Sequence, residues 1–218
     1  MMLQVMIYHR YLRTVKFVRA KGLCASVKHA ASLVLRTIFQ RQFLLFCLDL
    51  RMLVVEKEKR LDHLRIEAKF KESDLSFQER KELDRLRHPA INKSQLTERF
   101  SAGAKLWIAK LDGAIVGFVW TMKGSTLRPY FFPMLEEDAH LFDNEIGTFH
   151  RGRGINPVFI NHVLYELKNQ GICRVFMETK VWNWSEIRSL QKTRLKRFCV
   201  ATKYNLGRRS WTLWTLSH

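Results

Sequence analysis

No carboxylate appears before Asp49: residues 1–48 hold eight lysines or arginines and not one acid. The 218-residue chain carries a formal net charge of +18, so an anionic partner is expected: nucleic acid, a membrane surface or a phosphorylated ligand. Cysteine is scarce. Cys24, Cys47, Cys173 and Cys199 lie far apart with no CxxC pair, which argues against a zinc site or redox pair and suits reduced thiols in a cytoplasmic setting. No run of about 18 apolar residues is present, so no membrane span is expected. The opening "MMLQVMIYHRYLRTVKFVRAKG" lacks the apolar run and small-residue cleavage site of a secretory signal. Internal repeats and low-complexity stretches are missing too. What remains, 47% hydrophobic and 27% charged residues, is the composition of a globular protein long enough for one full domain and an appendage.

The acid-free start supplies the appendage. Apolar and basic residues mix at roughly helical spacing in two stretches separated by Gly22, so residues 1–42 read as a basic amphipathic helical extension. Three uses fit it: packing on the main domain, lying on an anionic membrane surface, or touching nucleic acid. A protein peripheral to the membrane is therefore one expectation.

Residues 43–218 read as mixed α/β. "FLLFCLDLRMLVV" (43–55) and "HLRIEAKF" (63–70) have strand character, and a helix capped by Ser73 or Asp74 runs towards Pro89. A short helix ends at Gly103. "KLWIAKLDGAIVGFVWTM" (105–122) is a hairpin, because Asp112–Gly113 tolerates the positive φ angles of a tight turn between apolar runs. A strand over 139–149 leads into "HRGRGIN" (150–156). Behind it Ile160, Val163, Leu164 and Leu167 form one apolar face of a helix that starts near Arg153 and closes at Gly171. "CRVFMETKVW" (173–182) is the next strand, "NWSEIRSLQKTRLKRF" reads as loop and helix, and "SWTLWTL" (210–216) as a final strand.

The loop carries the chemistry. A strand, a glycine-bearing turn, a helix and a strand make a βαβ unit, whose turn is where parallel sheets bind ligands. Free N–H groups and the helix dipole favour an anion there. Gly152 and Gly154 let the backbone approach it, and Arg151 and Arg153 add charge-assisted bonds, which together suit a pyrophosphate. The dinucleotide pattern GxGxxG and the P-loop GxxxxGK[ST] are both absent, and a single copy locked before a periodic helix is unlike a disordered RGG tail.

These residues resemble the GNAT N-acyltransferase superfamily. Arg151-Gly152-Arg153-Gly154-Ile155 is similar to that family's R/Q-x-x-G-x-G/A loop. Asn183, Ile187, Arg188, Ser189, Leu190 and Lys192 match its later segment N-x-x-S-I-R-S-L-x-K-x-G-F. The hairpin resembles its second and third strands, and the resemblance spans about residues 60–216. It implies a mixed, largely antiparallel twisted sheet with a central parallel βαβ unit, and transfer of an acyl group, most simply acetyl, from coenzyme A to an amine or hydroxyl. Binding of acetyl-CoA or another acyl-CoA would fall to Ile146, Gly147, Arg151, Gly152, Arg153, Gly154, Ile155, Asn156 and Asn183. The strand ending near residue 149 would pair with the pantetheine arm, and the flanking strands would part to admit the thioester. No metal is implied.

Three positions depart from the pattern. Asn156 stands in place of the loop's last small residue, Arg194 in place of the terminal Gly, and Leu190 where many members have a tyrosine acid. Ser189, Tyr204 or water would then protonate the leaving thiolate. Asp143 and Glu145 share a strand face by period-two counting and are candidate bases, or else edge charges paired with arginines. His150 reads as a loop packing residue, and Trp182 and Trp184 as acceptor-pocket or core residues. The alternatives to an enzyme are an inactive acyl-CoA-binding module and a nucleic-acid or ribosome-associated protein.

Overall fold

The computed structural model describes residues 41–53, 61–86, 93–127, 130–206 and 209–216. The expected helical extension over 1–42 lies outside them, apart from Arg41 and Gln42, which begin a strand.

Eight strands are hydrogen-bonded in the order β2-β3-β4-β5-β6-β1-β7-β8. They are β1 (Arg41–Asp49), β2 (Leu64–Lys69), β3 (Lys105–Leu111), β4 (Ala114–Lys123), β5 (Asp138–Ile146), β6 (Arg174–Lys180), β7 (Lys196–Leu206) and β8 (Arg209–Leu216). The described helices are α1 (Phe77–Leu86), α2 (Lys93–Ser101), α3 (Ile155–Asn169) and α4 (Trp184–Leu190). β1–β6, β2–β3, β3–β4 and β4–β5 pair antiparallel, and β5 and β6 run parallel with α3 as their crossover. The sheet is thus mixed and largely antiparallel around one parallel βαβ unit.

The chain divides into two compact units. The larger comprises 43–201 and 214–218, the smaller 1–42 and 202–213. In the smaller one, Tyr204 stacks on Trp211 with centroids 5.8 Å apart, and Gln42 Nε2 lies 3.5 Å from Thr202 Oγ1.

Both faces of the larger unit's sheet are covered. α3 buries Phe159, Ile160, Val163, Leu164 and Leu167 against Phe46, Val119, Leu141 and Met177, so the apolar face legible in the sequence is the one that packs. The opposite face holds Ile108, Phe118 and Trp120 under Leu83 of α1 and Leu96 of α2. On that same face, Tyr130–Phe132 cover Leu45 and Cys199. Each large side chain fully buried this way contributes roughly 1.5–3 kcal/mol.

Local signals explain most boundaries. Asp112 (φ 50°) and Gly113 (φ 85°) make the β3–β4 turn. α3 ends in a Schellman arrangement, with Ile172 N–H donating to Leu167 O (3.1 Å) and Gly171 N–H to Lys168 O (3.0 Å). The first helix is capped by Ser76 rather than by Ser73 or Asp74. Ser76 Oγ accepts from Glu79 N–H (3.1 Å), and Glu79 Oε2 accepts from Ser76 N–H (2.7 Å). Asp74 instead accepts from the N–H groups of Phe70 and Lys71. The strand expected over 43–55 stops at Asp49 and turns through a short 3₁₀ helix, Leu50–Met52. The helix expected after Trp184 ends at Leu190, and 196–198, read as part of the same loop and helix, open the long strand β7.

Candidate active site

The site grows from the way β5 and β6 part. Their parallel register covers Asp138↔Arg174 to Leu141↔Met177 and stops there, although the strands continue to Ile146 and Lys180. Beyond Leu141, β5 pairs only with β4, so its main chain on the β6 side is open. The closed end is riveted by buried Asp138, which accepts two bonds from Arg174 (2.8 and 2.9 Å) and one from Leu135 N–H (2.8 Å). A β-bulge marks the open stretch: between Phe118↔Glu145 and Trp120↔Phe142 the β5 side holds one residue more than β4. Asp143 sits in it at φ 47°. That extra residue interrupts period-two counting, yet Asp143 and Glu145 both line the cleft where the strands part.

Both carboxylates are engaged. Asp143 accepts from Arg99, a buried α2 residue whose guanidinium lies 5.2 Å from the Trp120 ring and 5.5 Å from the Phe142 ring. Glu145 accepts from Arg151. Arg151 also donates through Nε to Ile146 O (2.9 Å), so its side chain braces the end of β5.

After Gly147, whose N–H donates to Val116 O (2.9 Å), one 3₁₀ turn (Thr148–His150) leads into the loop. Gly152 (φ 77°) and Gly154 (φ 75°) take the left-handed conformation, and a Cβ at either would meet nothing within 4 Å. Glycine is required there by backbone conformation, on a loop that faces open space. The N–H groups of Gly152, Arg153, Gly154, Ile155 and Asn156 have no hydrogen-bond partner among the described residues. Free N–H groups at a helix start are the kind of donor that can receive an anion.

An open cleft of about 610 Å³ runs from this loop to α4, lined among others by Gly152, Gly154, Asn156, Arg188, Ser189 and Lys192. A second cleft, about 390 Å³, lies where the strands part and is lined by Phe43, Phe118, Phe142, Met177 and Trp182 together with polar groups. Asn144, Glu145, Asn183 and Glu186 line both.

The departures from the pattern have local solutions. Asn156 turns its Nδ2 onto Ser189 Oγ (2.8 Å), tying the first turn of α3 to α4. The turn at Arg194 is built by Asn161 of α3, whose Oδ1 accepts the Arg194 N–H (3.0 Å), and by Thr193, whose hydroxyl donates to Leu190 O (2.6 Å). Leu190 is fully buried in the main core. Asn183 caps α4 and donates to Glu186 (2.7 Å). Trp182 and Trp184 are 66% and 63% exposed, which removes the core-packing reading for both. No residue type or spacing singles out Arg99 or Glu178, and Glu186 shows only as a departure from the serine of its segment. Glu178 meets His140 Nε2 at 2.8 Å on the second sheet face. Burial pushes the Glu186 carboxyl above the usual range, against the bonds from Thr179 and Asn183.

A mixed sheet whose central parallel pair opens beside a helix-start anion loop defines an acyltransferase-like fold. Residues 65–193 match the acetyltransferase (GNAT) family, and the chain belongs to that family. GNAT members transfer acyl groups and use acetyl-CoA or another acyl-CoA as cosubstrate. No curated protein matches the chain. Among solved structures it is similar to a GNAT-family acetyltransferase from Novosphingobium aromaticivorans (15% identity, 83% of this chain and 67% of that one, TM-score 0.51). It is similar also to one from Colwellia psychrerythraea (12% identity, 73% and 53%, TM-score 0.50). A tandem GNAT protein from the clavulanic acid biosynthesis pathway is comparable (14% identity, 87% and 59%, TM-score 0.52). At these identities the likeness is one of fold, and the chain spans 53–67% of the length of these structures. No helix among the described residues is long and apolar enough to cross a membrane.

Proposed function

We propose that this chain transfers an acyl group, most simply acetyl, from coenzyme A to an amine or hydroxyl by direct attack on the thioester. The observation that carries the reading is the adjacency of five unpartnered N–H groups at 152–156 to the unpaired edge of β5. The loop amides, with Ile146 and Gly147 leading into them, would hold the pyrophosphate. The open edge of β5 would pair with the pantetheine amides, and the thioester would lie between β5 and β6 near Asn183. Such positioning by itself removes much of the barrier, because reacting atoms are brought together without loss of freedom at the moment of attack. An N–H at the bulge would stabilise the tetrahedral oxyanion.

In this reading Asp143 and Glu145 position the site rather than take a proton, because arginines hold both. Ser189 lines the coenzyme cleft with its hydroxyl oxygen accepting from Asn156, which leaves its O–H free to hydrogen-bond the departing sulfur.

Calorimetric titration with acetyl-CoA tests the proposal. Saturable one-site binding is expected, weakened roughly tenfold or more by Gly154→Val, since a side chain in the left-handed region costs about 1–2 kcal/mol per residue. Absence of binding by the unmutated protein would remove the reading.

A further inference from the structure

Residue 186 is out of keeping with the segment around it. From Asn183 the chain follows N-x-x-S-I-R-S-L, yet Glu186 stands where that pattern has serine. The side chain lies where the two clefts meet and lines both. Its Oε2 accepts from the Thr179 hydroxyl and from Asn183 Nδ2 (2.7 Å). Its Oε1 has no hydrogen bond among the described residues.

Four carboxylates line the splayed cleft, and three already face a basic side chain: Asp143 has Arg99, Glu145 has Arg151, and Glu178 has His140. Glu186 alone among them has only neutral donors among the described residues. With Oε1 free where the two clefts meet and no basic side chain upon it, Glu186 is the group of the four placed to take up a proton and give it back.

We propose that Glu186 is the acid–base residue of acyl transfer in this chain, accepting the proton of the attacking amine on Oε1 and returning it to the departing sulfur. The inference rests on the acyl-transfer reading above. The amine lone pair forms the C–N bond to the thioester carbon while the carbonyl π pair moves onto oxygen. The Glu186 carboxylate removes one proton from the new ammonium. The carbonyl re-forms, the C–S pair leaves on sulfur, and the Glu186 acid protonates it. The products are an amide and the coenzyme A thiol, and Glu186 ends ionised as it began. One residue thereby supplies the proton donor that buried Leu190 cannot.

Glu186→Gln keeps the shape and an acceptor for Thr179. Its acetyl-CoA affinity should stay within about twofold of the unmutated protein. Thiol release with ethanolamine, which attacks as its free base, should fall roughly 100-fold or more. Hydroxylamine also becomes an ammonium on attack, so its thiol release should fall comparably. An undiminished rate with either amine would overturn the proposal. A second measurement needs no acceptor. In carbon-13 spectra of glutamate-labelled protein, the carboxyl signal missing from Glu186→Gln should titrate above the exposed glutamates and shift when acetyl-CoA binds. A signal that titrates with the others and ignores acetyl-CoA would overturn it as well. If the unmutated protein binds no acetyl-CoA, the acyl-transfer reading falls instead.

Discussion

Two glutamates, Glu79 and Glu186, titrate in opposite directions for reasons that can be read from their neighbours. Burial alone would raise the Glu79 carboxyl, but the ammonium groups of Lys110 and Lys69 and the Ser76 N–H hold it down at about 2. A depressed carboxylate adds stability above its unfolded value of 4.5 and loses it as pH falls towards 2. Glu79→Gln should therefore lower the melting temperature at pH 7, and the gap to the unmutated protein should close in acid. Glu186 has the reverse sign. A carboxyl raised by burial loses stability as pH rises through its folded value, because folding disfavours the ionised form. Glu186→Gln is expected to melt at or above the temperature of the unmutated protein at pH 8, with the advantage vanishing near pH 4. A melting series over pH checks both signs.

Elements are held at their ends. Ser76→Ala removes a reciprocal cap from α1 and should cost about 1 kcal/mol in denaturant titration. Asp138→Ala should cost about 3–5 kcal/mol, because it strands Arg174 at the closed base of β5 and β6. At this scale, legibility in the sequence follows from how local each signal is. The β3–β4 hairpin was readable because Asp112–Gly113 specifies its own turn, and α3 because its apolar face repeats over two turns. β7 was not readable, because its alternation runs against the usual sense: Cys199 and Ala201 are buried while Phe198 is 44% exposed. The left-handed turns at 152 and 154 were legible from their glycines. The bulge was not, since one inserted residue at Asp143 leaves no mark on composition. Glu186 showed in the sequence only as a departure from a serine, and its bond from Thr179, seven residues away on another element, left no local mark.

For the whole molecule, the formal charge of +18 did not specify the site. The loop at 152–156 offers main-chain N–H groups, while the splayed cleft is rich in carboxylates. Acetyl-CoA at about 100 times its dissociation constant should add about 2.7 kcal/mol to stability. For a chain of this size that raises the melting temperature by about 5–10 °C, which differential scanning fluorimetry reads directly.

β1 has an implication for how the protein comes into being. It is the first described strand, yet it lies between β6 and β7, and Phe43 finds its partner Lys180 only 137 residues later. At about 5–20 residues per second, β1 leaves the ribosome roughly 7–27 s before β6 has been synthesised. The apolar run Leu44–Leu48 must wait through that interval with both edges open, a template for wrong pairing. The nascent chain is thus vulnerable at β1, and β2 to β5 can assemble before the strand that precedes them finds its place.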